Sequence, residues 1–262
     1  MKKQNTHIKL LIRTHLEDNE PFVSDNAIHV RGEDRGGLLR LPLKDEGTVI
    51  VKLWRIRSDK EKIKWFFRLH GGWKEWRMHS FLYKAGIAIP KPIGFYRFTL
   101  RNGEQWETMA IEDLGTTERG LNYIKRLIAE KNEEDIRIFE NSLINVTEEF
   151  IRIGIFDIDH QLNNFLVNSN SNLFRIDFEC AKLKRWKNKL PLQYAEMLAR
   201  LIASHVYAVQ PDVVRTEQFA KALYSRLNLD SRIKAAIENS VTQKLKFQYR
   251  NAGINSKVSL PN

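Results

Sequence analysis

The chain has 262 residues, 42% of them hydrophobic, and carries a formal charge of +11 because 43 Lys and Arg residues outnumber 32 Asp and Glu residues. This length and apolar content predict a globular protein with one large core or two smaller ones. The charge predicts an anionic partner: a nucleic acid, a phosphorylated substrate or an acidic membrane surface. A single cysteine, Cys180, excludes an intrachain disulfide and a cysteine-based metal cluster.

The sequence predicts neither a signal peptide nor a membrane span. The apolar run from Ile8 to Ile12 is interrupted by Lys9 and is too short for a signal peptide. No later segment approaches the roughly 20 apolar residues that a bilayer requires. Low cysteine usage fits a reducing compartment. We therefore expect a cytoplasmic protein, either free or peripheral to the inner face of the cytoplasmic membrane, with Cys180 as a small buried side chain.

The first part of the chain has the pattern of a β-rich lobe. The stretches AIHVRG, GGLLRLPL and TVIVKLWRI are separated by turn formers and predict a three-stranded antiparallel meander between Ala27 and Arg55. GWKEWRMHSFLYKAG has apolar residues at helical spacings and ends at Gly86, which predicts one helix. AIPKPIGFYRF and WETMAIEDLG predict two further strands joined by a hairpin at Asn102 and Gly103.

After Gly115 the pattern becomes mainly helical. The apolar residues of EEDIRIFENSLINVTEEFIRIG step by three and four, which predicts a helix with one buried face that ends at Gly154. A short hairpin around 168–172 and helices at about 192–209, 213–227 and 231–249 follow. The order predicts an α+β fold of two lobes: a small antiparallel β lobe with one helix at 1–113 and a larger helical lobe at 114–262.

Polar residues interrupt the apolar stretch between Gly154 and Lys182. Asp159, Asn164 and Asp177 lie among residues that have the pattern of core strands. A buried carboxylate costs several kcal/mol unless it is paired or holds a metal. We therefore expect a metal and a substrate to neutralise the carboxylates and to complete the contacts of this group.

The residues at these positions match what a protein-kinase-like phosphotransferase requires. Lys52, in the third strand, would hold nucleotide phosphates, and Glu75, on the predicted helix, would orient that lysine. Asp159 and Asn164 have the D-x-x-x-x-N spacing of a catalytic base and an amide metal ligand. Asp177, 13 residues beyond Asn164, would be the second metal ligand.

Phosphoryl transfer spreads negative charge over the γ-phosphate, which explains why these residue types are needed. Mg²⁺ and a lysine must lie on the phosphates of ATP, and the metal requires hard oxygen ligands. The acceptor hydroxyl must lose its proton, and Asp159 would accept it. The adenine edge would meet the backbone between Glu112 and Leu114, with the nucleotide bound between the lobes.

Each of these residues has a simpler interpretation when it is taken alone. Lys52 could be an exposed strand lysine, Glu75 a solvated helix residue, and DHQLNN a chance match. Asp177 is harder to explain in this way, because Ile176 and Phe178 flank it. The joint occurrence in the correct order favours the kinase interpretation.

Two stretches resemble the bacterial lipopolysaccharide core kinases, the group that contains heptose kinases and Kdo kinases. These stretches are KEWRMHSFLYKAGIAIPKPIGF and RIDFECAKLKRWKNKLPLQYAEML, within about 49–201. The matching residues are Glu75 with Trp76, Gly86 with Ile87, and the run Arg185, Trp186, Lys187, Asn188, Lys189 and Leu190. The resemblance implies transfer of the ATP γ-phosphate to a heptose or Kdo hydroxyl of the lipopolysaccharide inner core.

The sequence departs from the usual kinase motifs at three places. Asp157 stands where the histidine of HRD would be, and Glu179 replaces the glycine of DFG. No G-x-G-x-x-G motif is present, and the glycines at the corresponding turn are Gly32, Gly36 and Gly37. A catalytically inactive, kinase-like binding module is therefore one alternative, and a kinase of protein or of another small molecule is a second.

The tract KLKRWKNK, residues 182–189, has five basic residues in eight. It is either a solvated loop or a surface that docks onto sugar phosphates and an anionic membrane, where each basic residue adds about 1 kcal/mol. Its candidate contact residues are Lys184, Arg185, Lys187 and Lys189. A single tryptophan in the tract does not favour a nucleic-acid partner.

Three histidines, His70, His79 and His160, match no zinc motif in their spacing. We expect them to be hydrogen-bonded structural groups. His160 directly follows the predicted base, so a role in positioning substrate is a second hypothesis for it.

Overall fold

The computed structural model describes residues 2–17, 27–30, 36–43, 47–184, 190–248 and 260. The chain divides into two compact units, which we call the N-terminal unit, residues 1–114, and the C-terminal unit, residues 115–262. Among the described residues, no helix combines the length and apolar character needed to cross a bilayer.

A five-stranded antiparallel sheet forms the centre of the N-terminal unit. Its strands are β1 (Ala27–Val30), β2 (Gly37–Leu43), β3 (Gly47–Ile56), β4 (Pro92–Thr99) and β5 (Gln105–Glu112). The order across the sheet is β1-β2-β3-β5-β4. The predicted meander and hairpin are both present, with Gly103 at positive φ in the hairpin turn. Although β5 follows β4 in the sequence, it lies between β3 and β4 in the sheet.

Gly36 lies where β2 approaches β3 very closely. Its φ is +120°, and a Cβ at this position would lie 1.8 Å from the carbonyl oxygen of Leu53. Only glycine fits such an approach. Gly36 therefore has a structural reason to be glycine, whereas Gly32 lies outside the described residues.

Among the described residues of this unit, three helices accompany the sheet, two more than the one predicted. They are α1 (Lys2–Glu17), α2 (Asp59–Phe66) and α3 (Gly71–Lys84), of which α3 is the predicted helix. Helix α1 buries Ile8 and Ile12 completely in the core of the sheet. These two residues are four apart, which is a helical spacing, but Lys9 and the polar neighbours weaken the pattern. Helix α2 contributes no buried side chain, so apolar periodicity could not reveal it.

The C-terminal unit is mainly helical and contains two small antiparallel sheets. Its helices are α4 (Gly120–Ala129), α5 (Glu133–Arg152), α6 (Gln193–Val209), α7 (Val213–Arg226) and α8 (Ser231–Gln248). Its strands are β6 (Thr117–Arg119), β7 (Ile155–Asp157), β8 (Phe165–Asn168), β9 (Leu173–Arg175) and β10 (Ala181–Leu183), and a 3₁₀ helix spans Leu162–Asn164. The sheets have the orders β6-β8-β9 and β10-β7.

The core of the C-terminal unit forms around helices α5 and α6. The predicted buried face of α5 is present, with Ile136, Phe139, Leu143 and Phe150 almost fully buried. Helix α6 is buried along most of its length. The hairpin predicted around 168–172 joins β8 to β9. This packing holds the polar loop after β7 against a rigid support.

His79, on α3, shows the structural role expected for the histidines. It is 2% exposed, and its Nε2 lies 2.6 Å from the carbonyl oxygen of Pro90. Burial lowers the pKa of His79 from 6.5 to about 4, because the charged imidazolium is poorly solvated there. His70 is also hydrogen-bonded, because its Nδ1 lies 2.9 Å from Oε2 of Glu107.

The stability of the protein should therefore fall when the pH falls from about 6.5 towards 4. In this range the unfolded chain binds a proton at His79 that the folded chain does not, so the free energy of unfolding decreases, by up to about 3 kcal/mol. Urea denaturation at several pH values measures this loss. The His79→Gln variant, which keeps a donor for Pro90, should show a smaller decrease. An identical pH dependence in the two proteins would contradict the prediction.

Candidate active site

Lys52 and Glu75 form an ion pair in the N-terminal unit. Val51 and Leu53 alternate with Lys52 on β3 and are buried, so Lys52 lies on the other face of the strand. The Lys52 Nζ is 2.8 Å from Glu75 Oε2 and 3.0 Å from Oε1. Glu75, on α3, is only 1% exposed and is therefore not a solvated helix residue. The structure brings the two predicted residues together.

The stretch from Glu112 to Leu114 ends the N-terminal unit. The Glu112 N–H donates to the carbonyl oxygen of Lys91, and the Lys91 N–H donates to Glu112 Oε2. The next residue, Asp113, accepts hydrogen bonds from Arg40 and from the Thr48 hydroxyl. This stretch is thus fixed to β2 and β3, and the Glu112 N–H is engaged within the unit. An adenine edge at this stretch would have to use other backbone groups, such as those of Leu114.

Asp159 and Asn164 are in direct contact in the C-terminal unit. The 3₁₀ turn between them returns the chain, so that Asn164 Nδ2 donates to Asp159 Oδ2 at 2.7 Å and to the Asp159 carbonyl oxygen at 2.8 Å. Gln161 Nε2 donates to Asp159 Oδ1 at 2.8 Å, and Arg200 Nη2 lies 3.2 Å from the same oxygen. The Asp159 side chain is 33% exposed. It is therefore oriented by its neighbours while it stays accessible to solvent.

Arg175, the last residue of strand β9, contacts this loop and was not among the predicted site residues. It is fully buried, and its Nη2 lies 2.5 Å from Oδ2 of Asp157, which is also fully buried. The same guanidinium donates to the carbonyl oxygens of Asn164, at 2.9 Å, and of Asp159, at 3.1 Å. Asp157 Oδ1 in turn accepts from the Asp159 N–H at 3.0 Å. The Asp157–Arg175 pair thus holds the backbone on both sides of the loop.

Burial dominates the electrostatics of this pair. It raises the pKa of Asp157 above the ordinary value, while the Arg175 charge acts in the opposite direction. It also lowers the pKa of Arg175, against the pull of Asp157. Each ion therefore depends on the other to remain charged. An arginine between Phe174 and Ile176 in a core strand was the available signal, because a buried guanidinium needs an acidic partner.

Asp177 follows strand β9 in an uncommon backbone conformation. Its φ is +64°, which non-glycine residues rarely adopt and which often marks a functional position. The Ile176 N–H donates to the Asn164 carbonyl oxygen at 2.9 Å, which ties this turn to the loop. Carboxylate oxygens of Asp177 and Glu179 lie within 4.8 Å of each other.

This part of the chain supplies oxygen donors of the kind that Mg²⁺ prefers. The Nδ2 of Asn164 is committed to Asp159, which leaves its Oδ1 as the atom suited to a cation. Asp177 and Glu179 supply carboxylates. An amide oxygen with two carboxylates suits Mg²⁺, so the residues present fit the predicted metal, with Glu179 as an added candidate ligand.

Two expectations about neighbouring side chains are corrected. His160 is fully buried between Phe150 and Phe165, with Nε2 2.9 Å from Thr147 Oγ1, so it cannot position substrate. Burial lowers the pKa of His160 well below its ordinary value. Cys180 is exposed rather than buried. It lies in a turn beyond Phe178, which takes up the core position.

The predicted basic contact surface is described only in part. Lys184 is exposed, and its Nζ donates to Gln193 Oε1 at 2.8 Å. Arg185, Lys187 and Lys189 lie outside the described residues. The docking role of this tract stays a prediction.

Comparisons with known proteins support the fold. No protein-family model matches the sequence, and no curated protein is significantly similar to it. The structure is similar to that of WaaP in complex with acyl carrier protein, with 17% identity and a TM-score of 0.53, over 82% of this chain and 87% of that chain. It is also similar to ROP2 from Toxoplasma gondii, a virulence factor with a protein-kinase fold and no enzymatic activity, with 14% identity and a TM-score of 0.45, over 86% of this chain and 78% of that chain.

The protein has a protein-kinase-like fold, as predicted. A small antiparallel sheet and a helical part follow each other in the expected order. The resemblance that the motifs indicated thus extends to the three-dimensional fold.

Proposed function

We propose that this protein is a kinase that uses ATP and Mg²⁺ to phosphorylate a heptose or Kdo hydroxyl of the lipopolysaccharide inner core. The observation that carries the proposal is the pairing of the residues selected from sequence spacing. Lys52 contacts Glu75 in one unit, and Asp159 contacts Asn164 in the other. The kinase-like fold provides the context in which these pairs have a catalytic use.

Each residue has a distinct role in the proposed reaction. Lys52, oriented by Glu75, would hold the phosphates of ATP. Asn164 and Asp177 would hold Mg²⁺, which when bound would neutralise charge on the phosphates. The oxygen of the acceptor hydroxyl would form a bond to the γ-phosphorus while the bond from that phosphorus to ADP breaks. Asp159 would accept the proton that the hydroxyl loses.

The acceptor is proposed from the sequence resemblance and the charge. The stretches at 74–95 and 175–198 resemble lipopolysaccharide core kinases, and the fold is similar to that of WaaP in complex with acyl carrier protein. A net charge of +11 suits an anionic glycolipid acceptor. We place the enzyme in the cytoplasm, peripheral to the inner face of the membrane, with the tract at 182–189 as one contact surface. We expect it not to bind nucleic acid.

Transfer of labelled γ-phosphate from ATP to purified, unphosphorylated lipopolysaccharide core tests the proposal. We expect label in the core when Mg²⁺ is present and none when it is chelated. A panel of protein acceptors and the enzyme itself should remain unlabelled. Label in protein, with none in the core, would show a kinase with a different acceptor.

A catalytically inactive binding module is the second candidate function. Two observations favour it: Asp159 Oδ1 is already engaged by Gln161 and Arg200, and Glu179 replaces the usual glycine. This candidate predicts that no acceptor is labelled. A rise of the melting temperature with ATP and Mg²⁺ would then identify a module that retains nucleotide binding.

A further inference from the structure

Helix α2 and the turn that follows it expose a dense group of large apolar side chains. Ile63 is 61% exposed, Phe66 71%, Phe67 64% and Leu69 55%. These are four of the thirteen large apolar side chains that are exposed among the described residues, and they fall within seven positions. A cavity of about 310 Å³ lies beside them and is lined mainly by Ile63, Trp65, Phe66 and Phe67. A local concentration of this kind marks an interaction surface.

The helix is anchored although none of its residues is buried. Ser58 and Glu61 form a capping box at its N-terminus, which fixes the first turn. The Arg97 guanidinium stacks 3.8 Å from the Trp65 ring and donates a hydrogen bond to the Trp65 carbonyl oxygen. At the C-terminal end of the helix, the Leu69 N–H donates a hydrogen bond of 2.6 Å to the Lys64 carbonyl oxygen. The exposed apolar side chains therefore project from an ordered platform.

Basic residues surround these apolar side chains. Between 57 and 70 the sequence has five Lys or Arg residues and two acids. Both acids lie in the first turn of the helix, where Glu61 accepts bonds from the capped backbone. Lys64 and Arg68, in contrast, directly flank the exposed aromatic residues and are themselves exposed. Exposed aromatic and aliphatic residues with interleaved cations are typical of segments that lie in the interface of an anionic bilayer.

We propose that residues 60–69, the α2 platform, dock onto a membrane that contains anionic lipids. Ile63, Phe66, Phe67 and Leu69 enter the boundary between headgroups and acyl chains. Lys62, Lys64 and Arg68 contact lipid phosphates. The proposal concerns residues other than the basic tract at 182–189, and it does not depend on kinase activity.

Vesicle sedimentation tests this surface in the full-length protein. The probes are phosphatidylcholine vesicles with 30% phosphatidylglycerol and vesicles of phosphatidylcholine alone. We expect the partition coefficient for the anionic vesicles to be at least tenfold higher. The double variant Phe66→Ser with Phe67→Ser should lower it at least tenfold, because two apolar side chains leave the interface. The variant Lys62→Glu with Lys64→Glu should remove the preference for anionic vesicles.

Leu10→Ser is the matched control, since Leu10 is 62% exposed but lies on helix α1. It should bind vesicles as the wild type does. All the substituted side chains are exposed, so the melting temperatures should stay unchanged and folding defects can be recognised. Failure of the wild type to bind anionic vesicles, or equal loss in the Leu10 and Phe66/Phe67 variants, would overturn the proposal. So would light scattering that shows a dimer dependent on Phe66 and Phe67 without vesicle binding, because a second copy would then cover the surface.

Discussion

Replacement of Asp159 by alanine is expected to lower kcat for phosphate transfer by about 10²- to 10⁴-fold, the contribution typical of a positioned general base. The carboxylate is held by Asn164, Gln161 and Arg200 yet remains 33% exposed, which is the environment that an accessible base requires. Labelled phosphate transfer to the lipopolysaccharide core under single-turnover conditions measures this effect. Nucleotide binding should persist, because Lys52 and Glu75 lie in the other unit and keep their ion pair.

Two controls separate loss of the base from loss of structure. Asp159→Asn keeps the size of the side chain and removes its charge, so it should be nearly as inactive as the alanine variant. Glu134→Ala removes an exposed carboxylate in the first turn of α5 and should leave kcat unchanged. The melting temperature with ATP and Mg²⁺ reports nucleotide binding for each variant. Full activity of either Asp159 variant would exclude Asp159 as the base.

Replacement of Arg175 by methionine is expected to lower the free energy of unfolding by about 3 to 5 kcal/mol. The variant leaves the Asp157 carboxylate fully buried without its counterion, and burial already raises the pKa of that carboxyl group. It also removes the hydrogen bonds to the carbonyl oxygens of Asn164 and Asp159. Urea denaturation at pH 7 measures the change.

A double-mutant cycle distinguishes the ion pair from simple packing. The combination of Asp157→Leu with Arg175→Met removes both charges, so it should cost less than the sum of the single replacements. Arg152→Met is the matched control, because Arg152 pairs with Glu149 on the surface and is 61% exposed. It should leave the free energy of unfolding nearly unchanged, because solvent screens an exposed ion pair. Additive single effects would argue against coupling between Asp157 and Arg175.

The elements with a strong repeating pattern were predictable from the sequence. The strands around Lys52 alternate buried and less buried side chains, and helix α5 buries residues spaced by three and four. Two of the missed helices have a weak signal, because polar residues interrupt the apolar spacing of α1 and α2 has no buried face. Helix α4 was also missed, although it buries Tyr123, Ile124 and Leu127 at helical spacing. The capping box that begins at Ser58 was the remaining clue to α2.

The candidate site was predictable where its chemistry follows local spacing. Asp159 and Asn164 are five residues apart, so one short turn brings them together. Arg200, which also contacts Asp159, is 41 residues away, and no periodic pattern connects the two. The same limit explains Cys180: the pattern places it in an apolar neighbourhood, but the chain has already turned outward after Phe178.

The sequence by itself determined that a β-rich part precedes a mainly helical part, and it selected Lys52, Glu75, Asp159, Asn164 and Asp177 as a set. Both results follow from local backbone preference and residue chemistry, which depend on residue types and on their spacing in the sequence. Only the tertiary structure decided that β5 lies between β3 and β4, and that Arg175 neutralises Asp157. A buried charge requires a counterion but does not specify where in the chain it lies, so the choice of partner depends on which side chains the folded core brings within contact distance.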